Sequence, residues 1–124
     1  MRSILLDELL PSEIEGIEAY LENKARPSGV DGLYWLNLPK ELWNQGQLNG
    51  LSSDGREAAQ EYRLAVELGP DWVRFELLVR SDTLGNLGGG PADESQVLFA
   101  LRWAGRMAEE LNLSMCLPPV RLSN

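Results

Sequence analysis

The sequence predicts an α+β domain of two layers: an antiparallel meander sheet of three to four strands, covered on one face by an N-terminal and a C-terminal helix. Three observations carry that expectation. Residues 61–80 alternate apolar and polar on both sides of a turn, the period of strands with one buried face. Residues 12–25 and 91–112 carry apolar positions at helical spacing. The helical stretches lie at the two ends of the chain, with the strands between them. The 124 residues suit a single domain, 1–124, with mobile loops near 44–55 and 81–91 and a short C-terminal tail, 118–124.

Ser3 to Leu10 reads as an edge strand or as a short helical turn before Pro11. Ser12 and Glu15 have capping-box spacing, with Ser12 as N-cap, and the helix is expected to run to about Ala25. At about 100° per residue, Ile14, Ile17, Tyr20, Leu21 and Ala25 share one face. Glu15, Glu18 and Glu22 form an acidic stripe beside it, and Gly16 and Ala19 leave a third side flat. Residues 27–32 are rich in turn formers. Leu33–Leu38 reads as a strand contacted on both faces and closed by Pro39. Pro39–Trp43 suits a short helix. The polar, glycine-bearing stretch 44–55 reads as a loop, and Arg56–Gln60 consists of good helix formers.

The hairpin follows. Gly69-Pro70-Asp71-Trp72 suits a type I turn, because proline presets φ at the second position and aspartate tolerates the third. That turn pairs Leu68 with Val73, Val66 with Phe75, Leu64 with Leu77 and Tyr62 with Val79. On the other face it sets Glu67 across from Arg74 and Glu61 across from Arg80, each pair favourable by roughly 0.2–1 kcal/mol. A one-residue slip would bring apolar positions against charges. Residues 81–91 form a glycine-rich connection, and Pro91–Ser95 opens a helix expected to end at Leu111 or Asn112. Val97, Leu101, Ala104, Ala108 and Leu111 make its core stripe. Leu113–Leu117 reads as a short strand before the tail.

Composition narrows the chemistry. Nineteen acidic against eleven basic residues give a net charge of -8 and a pI near 4.5. Such a surface repels a phosphate backbone and an anionic membrane, so neither nucleic acid nor membrane is expected as a partner. The chain has no histidine, which removes His-based nucleophile systems and most zinc sites. Its single cysteine, Cys116, forms no intrachain disulfide and reads as a small buried apolar residue. The N-terminal apolar run is interrupted by Asp7 and Glu8, unlike a secretory signal, and a cytoplasmic location is expected.

No constellation singles out catalysis. The Gly85–Gly90 run precedes a helix, but no Lys-Ser or Lys-Thr follows it and Asp82, Asp93 and Glu94 flank it, so it reads as a connection rather than a phosphate loop. Asp31, Asp54, Asp71 and Asp82 lie in expected loops, without the spacing of a calcium loop. No catalytic residue, cofactor or metal site is expected. On the last helix, Phe99 and Trp103 stack on a side nearly opposite the core stripe, beside Arg102 and Arg106. Two readings follow: the first helix packs there through Gly16 and Ala19, or the side is a surface patch rich in aromatic residues and arginine, as interfaces are. The acidic stripe likewise reads as a solvated face or as a docking surface for a basic partner.

In outline, the helix–strands–helix order and low pI resemble the acidic secretion chaperones, a family that carries further strands and a helix after its second helix. A small acidic immunity or antitoxin protein fits equally well. The expected function is therefore a small acidic protein-protein interaction module, chaperone-like or immunity/antitoxin-like, acting on a protein partner or on itself as a homodimer. Its expected binding residues are Phe99, Trp103, Arg102, Arg106, Glu15, Glu18 and Glu22. The alternative is a small carboxylate-based or metal-dependent enzyme with its site in the glycine-rich loops.

Overall fold

A computed structural model describes residues 3–44, 47, 62–81 and 89–113, and the backbone of 121–123. It is an α+β structure whose described residues include an antiparallel sheet and two long α-helices. The strands are β1 (Ser3–Leu6), β2 (Arg26–Pro27), β3 (Leu33–Asn37), β4 (Tyr62–Leu68), β5 (Val73–Glu76), β6 (Leu78–Ser81), β7 (Gly90–Pro91) and β8 (Arg121–Ser123). The helices are α1 (Pro11–Lys24) and α2 (Glu94–Glu110). The expected meander is present as β3-β4-β5, but the sheet is wider than the three to four strands expected. Its order is β2-β3-β4-β5-β1-β8, with β6 beside β4 and β7 joined through β6.

Two of the additional strands come from segments that periodicity left open. Ser3–Leu6 is a strand rather than a helical turn, but not an edge strand; it lies between β5 and β8, with Ile4 and Leu6 fully buried. Within the expected tail, Arg121–Ser123 pairs with β1. The expected strand at 113–117 apart from Leu113, the loop 44–55 apart from Asn44 and Gln47, most of 81–91, Arg56–Gln60, Glu61 and Cys116 lie outside the described residues.

The hairpin register holds next to the turn and changes beyond it. Leu68 pairs with Val73, Val66 with Phe75 and Glu67 with Arg74, as expected. Farther out, Tyr62 pairs with Ser81 and Arg63 with Arg80, which corrects the expected Tyr62–Val79 and Leu64–Leu77 pairs. Leu64 and Ala65 thus face four residues, Glu76 to Val79, on the other arm. The bulge falls at Leu77, between β5 and β6. Its two extra residues keep side-chain parity, so Val73, Phe75, Leu77 and Val79 all stay buried. The break also gives the arm two outer neighbours: β1 along β5 and β7 along β6. Leu77 turns its carbonyl to the N–H of Ala92 at 3.1 Å, just ahead of α2.

α1 starts two residues earlier than the Ser12 cap implied. Leu10 is the N-cap, Pro11 occupies the first turn, and the Glu13 carboxylate accepts the Leu10 N–H at 2.8 Å. Proline prevails here because its fixed φ suits the first helical position and its missing N–H costs nothing there. Ile17 and Leu21 are fully buried, with Ile14, Tyr20 and Ala25 packed at their flanks.

α2 begins at Asp93, whose side chain accepts the Gln96 N–H at 3.0 Å while Gln96 returns its Oε1 to the Asp93 N–H at 3.0 Å. Gln96 is wholly buried. Its Nε2 donates to the Leu42 carbonyl at 2.9 Å and to Gln47 Oε1 at 3.0 Å. Gln47 is itself buried, and it exchanges backbone–side-chain bonds with Asn44. The Tyr62 hydroxyl donates to the Gln47 carbonyl at 3.4 Å. Two reciprocal caps are thereby bonded to each other inside the core. Gln96→Leu is expected to cost ~1–3 kcal/mol, because it leaves buried acceptors unmatched. The check is a lower urea midpoint at unchanged m-value.

Candidate functional site

The residues expected to bind a partner come from α1 and α2, and the structure brings those helices together on one face of the sheet. A Cβ placed on Gly16 would sit 3.9 Å from Leu111, and the Tyr20 and Trp103 rings meet edge-on with centroids 5.5 Å apart. Those contacts set the helices antiparallel. On α1, Glu15, Glu18 and Glu22 are exposed, on a side that adjoins the one burying Ile17 and Leu21. On α2, Arg102 and Arg106 are exposed, with exposed Leu98 and Gly105 on the same outer surface.

Phe99 and Trp103 are placed differently from the charged residues. Both are half-buried and packed against the core, and Trp103 is wedged between Tyr20 and Phe75, the latter at 5.8 Å between centroids. For Trp103 this is the helix-packing reading, made through Tyr20; Gly16 faces Leu111 instead, and Ala19 is exposed. The two apolar sides of α2 are parts of one broad arc whose centre is Gln96, Ala100, Ala104 and Met107, all buried.

Tyrosines mark where the helix layer meets the sheet. The Tyr34 hydroxyl, on β3, donates to the Glu22 carboxylate at 2.8 Å. Burial, then that hydrogen bond and the charges of Glu22, Glu18 and Asp31, push the Tyr34 phenol up to about 12. Burial first, then the charge of Glu110, raises Tyr20 against the opposing pull of Arg106. Tyr62 is raised by burial. The stripe glutamate at position 22 is thus tied to the sheet and held in place.

The described residues gather carboxylates in one further place. A shallow groove of about 380 Å³ is lined by Leu5, Asp7, Glu8, Asp71, Trp72 and Arg74. Trp72 lies across the turn, so close that a Cβ on Gly69 would come within 2.2 Å of its ring, and the Arg74 guanidinium is 5.6 Å from the ring centroid. Asp71 is the loop carboxylate shared with the sequence reading; Asp31 is elsewhere and exposed, and Asp54 and Asp82 lie outside the described residues. Among the described residues no group of three His, Cys, Asp or Glu side chains is arranged to hold a metal ion, and no helix is long and apolar enough to cross a membrane. Comparison with protein families, curated proteins and solved structures finds no match to this chain.

Two outcomes follow. Trp103→Ala is expected to destabilise the fold by about 2–4 kcal/mol, since truncating a packed tryptophan leaves a cavity. Arg102→Ala, at an exposed position, should stay within about 0.5 kcal/mol of wild type. Denaturant titration of both variants makes the comparison. Alkaline stability follows from the tyrosines. Their folded values lie above the ordinary 10.0, so the unfolded chain ionises first as pH rises. The tyrosines' contribution to stability is expected to be constant below pH 10 and to fall as pH rises from there toward 12, with a shallower fall in Tyr34→Phe. Melting curves across that range read it.

Proposed function

We infer that this chain works by binding a protein partner rather than by catalysis, and that the partner meets the helix layer. The observation that carries this reading is the row Glu15, Glu18 and Glu22, exposed on a helix whose adjoining side is locked into the core. Such a row presents fixed negative charge to a basic surface and speeds its approach. Arg102 and Arg106 on the neighbouring helix give the same layer two cations for carboxylates at the edge of the partner. Trp103 serves the surface by fixing α2 against α1 through Tyr20, Phe99 packs against the core, and both contribute their remaining exposed edges. A chaperone-like or immunity/antitoxin-like role, in which an acidic protein masks a basic one, agrees with the net charge of -8.

A second reading is favoured by the groove beside Trp72. Asp7, Glu8 and Asp71 around an aromatic wall are groups that a small carboxylate-based enzyme would use. Affinity capture from the source cell, with wild type and with Glu15→Gln/Glu18→Gln/Glu22→Gln as baits, distinguishes the two. The binding reading expects a stoichiometric basic protein on the wild-type bait and its loss from the variant. Equal recovery on both baits would contradict a role for the stripe. Loss of a captured partner with Asp7→Asn/Asp71→Asn instead would move the site to the groove.

A further inference from the structure

The sheet has a second face, on the side away from both helices. One row of side chains crosses it through four strands. Leu5 on β1 stands beside Arg74 on β5, Arg74 beside Glu67 on β4, and Glu67 beside Leu33 on β3. Their neighbours in sequence, Ile4, Leu6, Val66, Val73, Phe75 and Tyr34, are buried on the helix side, so these four point outward, and all four are half-buried. Arg74 and Glu67 form an ion pair. Read across the strands, the row is apolar, cation, anion, apolar. The adjacent pairs are unequal in size: Ser3 stands beside Glu76, and Ala65 beside Trp35.

We propose that two copies of the chain associate through this face, sheet against sheet, about a twofold axis running parallel to the strands between β4 and β5. That rotation exchanges β4 with β5 and β3 with β1. It places Arg74 of each copy over Glu67 of the other, and Leu5 over Leu33. It also sets Trp35 over Ser3 and Glu76 over Ala65, a large side chain over a small one each time. A twofold interface must be complementary to itself, and this row is. Aligned sheets stack about 10 Å apart, near enough for such side chains to interdigitate.

Two further observations favour this occupant. The Arg63 guanidinium lies 4.3 Å from the centroid of Trp35, and tryptophan with arginine is the composition enriched where interfaces hold most tightly. Charge argues in the same direction. The chain carries -8, and Glu15, Glu18 and Glu22 are exposed on the helix layer. Helix-to-helix association would bring those rows together. Sheet-to-sheet association leaves them on opposite outer surfaces, well beyond the screening length of about 8 Å at physiological salt. At the centre, four charges of alternating sign offset the cost of removing each ion pair from water.

The inference is independent of the partner reading, because it uses the opposite face. Sedimentation velocity on the full chain at micromolar concentration tests it. Wild type is expected to be a dimer. Glu67→Arg turns the row into two like charges and should raise the dissociation constant by roughly a hundredfold. Glu67→Arg/Arg74→Glu restores alternation and should restore the dimer. Should Glu67→Arg fail to fold, Leu33→Lys leaves the ion pair intact and is expected to be a folded monomer. Arg102→Glu/Arg106→Glu, on the helix layer, should sediment as wild type. A monomeric wild type, a dimer that Leu33→Lys leaves unchanged, or a dimer dispersed by the helix substitutions would each overturn the proposal. The first two leave the partner reading of the helix layer standing.

Discussion

Burial in this sheet depends on keeping Val73, Phe75, Leu77 and Val79 on one side of a strand that is broken in its middle. The break at Leu77 inserts two residues, and two is the smallest number that leaves side-chain parity untouched. One extra residue would have turned Val79 to the outer face and brought Arg80 into the core. With parity kept, the inner face stays continuous from Ile4 on β1 to Tyr34 and Leu36 on β3, and both helices pack on it. The same break lets β1 flank the lower arm and β7 the upper one, so the terminal strand and the approach to α2 both depend on it.

The alternation that revealed the hairpin also hid this bulge. An even slip leaves the apolar–polar pattern unchanged, so Leu64–Leu77 and Tyr62–Val79 looked as good as the pairs that form. The charge pattern pointed the same wrong way, because the unbroken ladder sets Glu61 across from Arg80. In the shifted register Arg63 stands across from Arg80, an unfavourable neighbour, and each cation has another contact. Arg80 bonds to Glu76 at 2.9 Å, and Arg63 lies over Trp35. β1 was legible only as an apolar run, since SILL contains no alternation to separate strand from helix. β2, β7 and β8 are two or three residues long, too short for any periodicity to register.

On α2 the misleading residue was Gln96. Counted as polar, it splits the helix surface into a Val97–Leu101–Ala104 stripe and a separate Phe99–Trp103 patch. Placed in the core with every amide atom bonded, it joins them into one arc. The spacing Asp93-x-x-Gln96 is a capping box, and Asn44-x-x-Gln47 repeats it; that signal was in the sequence. What spacing could not supply is that the two boxes bond to each other across 49 positions of chain. The charged members of the candidate surface were easier to find. Glu15, Glu18 and Glu22 recur at helical spacing, and a helix that buries Ile17 and Leu21 has to expose them. The outer row Leu5–Arg74–Glu67–Leu33 was not legible, because it joins four strands whose order only the folded sheet defines.

Cross-strand backbone nuclear Overhauser contacts test that strand order and the change of register at Leu77 most directly. Predicted are contacts of Leu5 with Arg74, of Glu67 with Arg74 and with Leu33, and of Arg63 with Arg80 and Tyr62 with Ser81 beyond the break. Contacts of Leu64 with Leu77 and of Tyr62 with Val79 would mean an unbroken ladder. Absence of the Leu5–Arg74 contact would remove β1 from the sheet, and with it both the continuous inner face and the outer row.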